Sequence, residues 1–173
     1  MKKIICLSIC FLIIVSQVAC ISTYGYREYG HYDNFNIVEN DFQSICQLLS
    51  VESNDSYYYI KVVNENADDK EIADSSQIEL TDMKTKEKLN ISETDQKHLR
   101  NILKNSYGYV KGGLHGFCWI SVQDGTVTFE YDAIGCGVVA TSNIEDFISG
   151  LENGSNERLG YEKLSDGWYT YYR

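Results

Sequence analysis

Three constellations in this chain bring together residue types that could do chemistry. His115-Gly116-Phe117-Cys118, with Cys136 further on, offers an imidazole and two thiolates, a donor set that zinc accepts. Cys46, followed by His98 and His115, offers a thiol and two candidate bases, the pairing that a cysteine nucleophile needs. Asp68-Asp69 and Glu130/Asp132 offer paired carboxylates, and the second pair shares one face of a strand by its two-residue spacing. Each has a plainer counterpart that the sequence favours. The metal set lacks a second close pair of ligands, and thiols in an oxidising compartment pair with each other. Cys46 sits on an apolar helical stripe, where a cysteine acts as a small core residue. With 25 acidic residues, a chance pair of carboxylates is expected. Gly112-Gly113 and Gly135-Cys136-Gly137 are isolated loop glycines and form no phosphate cradle. The sequence therefore predicts no catalytic residue, no metal and no cofactor.

The aromatic residues carry more information. Fourteen tyrosines and two tryptophans exceed what core packing usually needs. Tyr and Trp are favoured at binding surfaces because they bring large contact area at low entropic cost. In the C-terminal WYTYY, Trp168, Thr170 and Tyr172 share one strand face, and Tyr169 and Tyr171 share the other. Cross-strand packing is the structural use of such a segment. Its functional use is a binding strand, for which Trp168, Tyr169 and Tyr171 are the candidates.

These residues need elements to position them. Val38, Phe42, Ile45, Cys46 and Leu49 recur at helical spacing over 37–50, with Asn40 a candidate cap. Tyr57 to Val63 is a β-branched and aromatic run, and Gln77 to Asp82 alternates Ile78 and Leu80 with polar residues, so both read as strands. The polar stretch Asn64 to Ser76 between them reads as an exposed loop. Ser92-Glu93-Thr94-Asp95 opens a helix with a capping box, and Leu99, Ile102 and Leu103 form its apolar face. Cys118 to Val122 and Thr126 to Tyr131 flank Asp124-Gly125, a two-residue hairpin signal. Cys136 to Thr141 adds a strand, and Ser142 with Glu145 opens a helix carrying Ile144, Phe147, Ile148 and Leu151. Tyr161 to Leu164 and Trp168 to Tyr172 flank Ser165-Asp166-Gly167, a second hairpin. Hairpins and helices are interspersed with no βαβ repeat. The expectation is a single small α+β domain over 37–173: an antiparallel sheet built from hairpins, with about three amphipathic helices packed on one face.

The N-terminus supplies an address. Lys2 and Lys3 precede an apolar run from Ile4 to Val15, shorter than the roughly 20 residues a membrane span needs, and a small-residue boundary follows. Val18-Ala19-Cys20 resembles the cleavage site of bacterial lipoproteins. That resemblance implies a signal peptide over 1–19, acylation of Cys20, a tether over 20–36 and attachment to a membrane through the lipid. An ordinary cut near 19–22 would instead free a soluble secreted or periplasmic protein. Three thiols remain beyond an acylated Cys20, namely Cys46, Cys118 and Cys136. Cys118 and Cys136 are the expected disulfide, because their flanking strands should lie close together. The order of Cys46, His98 and His115 is similar to that in cysteine peptidases of the bacterial cell wall. This likeness of order alone implies a small cell-envelope hydrolase using Cys46 or His115 as the alternative function.

The formal net charge is −10, and both leader lysines leave on cleavage, so the mature chain is more acidic still. Such a surface repels phosphate backbones, which excludes nucleic acid as a partner class and suits a basic protein. The function expected from address, charge and aromatics is a non-enzymatic binding, inhibitor or immunity module of the cell envelope.

Overall fold

A computed structural model describes residues 35–52, 55–63, 72–105, 109–110, 113–114, 117–131, 136–153 and 159–172. The apolar stripe of the first helix, α1 (Phe35–Glu52), buries Phe35, Val38, Phe42, Ile45 and Leu49. This helix begins two residues before the boundary expected from periodicity, because the ring of Phe35 belongs to the core. Asn40 therefore lies inside the helix, where its carbonyl accepts a bond from the Ser44 hydroxyl, and it caps nothing. The leader, Cys20 and residues 21–34 of the expected tether lie outside the described residues.

Strands β1 (Asp55–Val63) and β2 (Gln77–Asp82) pair antiparallel. Helix α2 (Glu93–Asn105) follows, started by a reciprocal cap: the Asp95 amide donates to the Ser92 hydroxyl, and the Ser92 amide donates to the Asp95 carboxylate, both at 3.2 Å. A short hairpin, β3 (Tyr109–Val110) and β4 (Gly113–Leu114), falls where the sequence suggests only a glycine-marked loop. Then come β5 (Phe117–Gln123), β6 (Thr126–Tyr131) and β7 (Gly137–Ala140). Asp124 and Gly125 close the β5–β6 hairpin with φ of 48° and 77°, the two positive angles that such a tight turn requires. Helix α3 (Ile144–Glu152) precedes the final hairpin, β8 (Gly160–Ser165) and β9 (Trp168–Tyr172). The cap of α3 is Asn143, which accepts from the Asp146 amide, one position beyond the Ser142–Glu145 pair suggested by the sequence.

The molecule is an α+β domain, with three helices and a seven-stranded antiparallel sheet in the order β2-β1-β5-β6-β7-β9-β8 among the described residues. One face of the sheet carries the main core. There Phe42 of α1 packs against Phe117, Phe129 and Trp168 with ring centroids 4.7–5.8 Å apart, while α2 packs against α1 and the β2 end. The helices do not all lie on this face. Strict alternation along β7 sends Val138 into the main core and Val139 to the opposite side. There Val139 joins Tyr171, Ile144, Ile148 and Phe147 beneath α3. Because α3 is short, it shields the β7–β9 half of that second face.

Candidate binding face

The site is built on the second face of the sheet, beside α3. Alternation and register place Tyr57 and Tyr59 of β1, Trp119 and Ser121 of β5, and Thr128 and Glu130 of β6 on this one face. Tyr59 lies directly opposite Trp119, and Tyr57 is its diagonal neighbour. The Tyr57 and Trp119 rings stack with centroids 4.9 Å apart and planes within 8°, and Tyr59 meets the same indole at 4.8 Å. The core accounts for none of this: both tyrosines remain 38% exposed.

Glu130 stands at the border between this aromatic rib and α3. On β5 it faces Trp119, and on β7 it faces Gly137. Gly137 is obligatory there. A Cβ would lie 2.1 Å from the Phe129 carbonyl oxygen and 3.1 Å from the ring of Tyr171, which lies across the glycine. The Glu130 carboxylate accepts one bond, from the Ser121 hydroxyl at 3.2 Å. Burial against its neighbours outweighs that bond and raises its pKa above the ordinary carboxylate value.

Between Glu130 and α3 runs a groove of about 780 Å³. Ser121, Thr128 and Glu130 form its floor, while Phe147 and Leu151 of α3 give it an apolar wall. Asp124 and Asp146 stand along it, and its described lining includes no basic side chain. The arrangement joins an aromatic surface to a polar, acidic slot. Glu130 is the desolvated carboxylate in its described lining. Asp132, its partner in the sequence-based pair, lies outside the described residues, as do Asp68 and Asp69.

The residues singled out from the sequence are placed elsewhere. Trp168 is 5% exposed and packs on Phe35 and Phe42, so it is a core residue and not part of a binding surface. Tyr171 is 3% exposed beneath α3, in edge contact with Phe147, and Tyr169 is half-buried beside it. The expected binding strand is thus sandwiched between helices on both sides. The exposed aromatic stack lies instead on β1 and β5. The signal for the exposed rib was available in Tyr57, Tyr59 and Trp119, whose alternation with Tyr58 and Ile120 divides each strand between two faces.

The expected Cys118–Cys136 disulfide is not formed. Cys118 is on β5 and Cys136 leads into β7, with β6 paired between them. Their backbones are about two strand spacings apart, roughly 9–10 Å, beyond the roughly 7 Å limit for a bridge. Cys136 is buried in the main core, which pushes its thiol up to about 11. Cys46 packs against the same core, and burial pushes its thiol up to about 12. A thiol so disposed holds its proton at neutral pH and is a poor nucleophile. His98 Nδ1 meets Asp41 at 2.5 Å, and Asn101 donates to the same carboxylate, so this histidine ties α2 to α1. His115 lies outside the described residues. No three of His, Cys, Asp and Glu converge as metal ligands among the described residues, and no helix there is long and apolar enough to cross a membrane. Compared with protein-family models, curated proteins and solved structures, the chain matches none.

Proposed function

We propose that this chain is an exported, lipid-anchored protein of the cell envelope that works by binding, as an inhibitor or immunity module, and not by catalysis. Its partner is a basic protein, and its binding surface is the Tyr57–Trp119–Tyr59 rib with the adjoining groove. The observation that carries this reading is the exposed, mutually stacked aromatic rib on a face that leaves it outside both hydrophobic clusters. Large aromatics beside a polar rim are the usual energetic centres of protein interfaces. The acidic chain adds long-range attraction for a basic partner. The lipid anchor rests on Val18-Ala19-Cys20 behind the lysine-led apolar segment.

Two measurements test the reading. Intact mass of the membrane-derived protein should show a diacylglyceryl group on Cys20, and an unmodified N-terminus between 19 and 22 would overturn the anchor. The wild-type chain and its W119A variant should differ as baits for envelope proteins. A basic partner held by the first and lost by the second supports the binding face, whereas a partner held equally by both places binding elsewhere.

A further inference from the structure

We infer that the groove between α3 and strands β5–β6 is a receptor for a single cationic side chain, arginine or lysine, presented by the partner protein, with Glu130 as its specificity-determining residue. This rests on the binding reading above and names its chemistry. The apolar wall of Phe147 and Leu151 fits the aliphatic stem of such a side chain, and long cationic residues bury their stems while seeking a polar end for the charge. The floor supplies that end. Glu130 has one hydrogen bond, from Ser121, although a carboxylate has room for about four. Thr128 beside it adds a hydroxyl. Trp119, across the strand pair from Glu130, belongs to the stacked rib, and aromatic groups near a carboxylate reinforce attraction for a cation. Asp124 and Asp146 place further negative charge along the slot, with no basic side chain in its described lining to compete. A half-buried carboxylate with so few partners is costly by itself, and a cation entering the groove would offset that cost. Arginine fits best, because its planar fork can engage the carboxylate in two parallel bonds.

The experiment uses the full chain in detergent micelles, with amide NMR shifts followed during titration with N-acetyl-arginine amide. The neutral isostere N-acetyl-citrulline amide is the control ligand. Saturable shifts should centre on Ser121, Thr128, Glu130 and Phe147, and citrulline should bind about tenfold more weakly or worse. E130Q should weaken arginine binding about tenfold while remaining folded by thermal melting. E87Q, which removes an exposed charge from the turn after β2, should stay within about twofold. Equal binding of arginine and citrulline would overturn the inference, as would an equal loss in E87Q, which would mean diffuse attraction, or the absence of saturation. A partner that W119A loses and E130Q retains would leave the binding face standing and sink the cationic receptor. A partner insensitive to both variants would sink both.

Discussion

Glu130 shows how a single residue can be placed against stability. Its carboxyl is raised above the ordinary value near 4.5 by burial, so the folded protein favours its protonated form. The contribution to stability is therefore fully present below about pH 4.5 and is lost as the pH rises through the raised value. At neutral pH the charged group is a burden on the fold. E130Q, which keeps an oxygen for Ser121, should accordingly melt at a higher temperature than wild type at pH 7, and the gap should close in acid. A lower melting temperature for the variant at pH 7 would show that the charge is stabilised in some other way. Such a trade of stability for a poised charge is typical of functional sites. The buried thiols lead to a second expectation at this scale. With Cys46 pushed up to about 12 and Cys136 to about 11, neither should react with iodoacetamide in the native protein at neutral pH, and both should react once it is unfolded. Rapid labelling of native Cys46 would restore it as a candidate nucleophile.

At the scale of elements, the edge strand β2 is guarded by a side chain. The Gln96 amide of α2 donates to the Ile78 carbonyl and accepts from the Ile78 amide, both at 2.7 Å, so it stands in for a neighbouring strand. The Leu89 amide continues the cover by bonding the Leu80 carbonyl. Uncovered edges invite pairing with other chains. Q96A should cost about 1–3 kcal/mol, since it leaves two partly buried backbone groups unpaired, and it should increase aggregation. Urea unfolding with light scattering would measure both, and a variant as stable and as soluble as wild type would show the clamp to be incidental. This contact is invisible from the sequence. Gln96 reads there as a polar residue on a helix, and only the packing of α2 across β2 gives its amide something to imitate.

For the whole molecule, one residue joins the layers. Phe42 is fully buried and touches rings from α1, β5, β6 and β9, four elements spread across the chain. Truncation should cost about 3–5 kcal/mol, because neighbours drawn from separate elements cannot all collapse into the cavity. The aromatic rib lies outside both hydrophobic clusters, so W119A should cost only about 1 kcal/mol, the worth of cross-strand aromatic contacts. Denaturant unfolding of the two variants decides the matter: equal losses would make the rib a structural device and weaken its claim as an interface.

By itself the sequence determined where the longer elements run, though not the short β3–β4 hairpin. Helical spacing in 37–50, the Ser92–Asp95 capping box, Asp124-Gly125 and the alternation in Gln77 to Asp82 are local signals, set by backbone geometry over a few residues, and the α+β class follows from their order. Which strands neighbour each other, and which face meets which helix, was decided only by tertiary structure. β6 lies between Cys118 and Cys136, and α3 crosses to the far face and buries Tyr171, while α1 buries Trp168. The two faces of a strand differ in sequence only by alternation, so a strand with aromatics on both sides, such as WYTYY, carries no mark of which side meets solvent. The proposed binding face therefore draws on Tyr57, Tyr59, Trp119 and Glu130, residues of three strands that only the sheet order brings together.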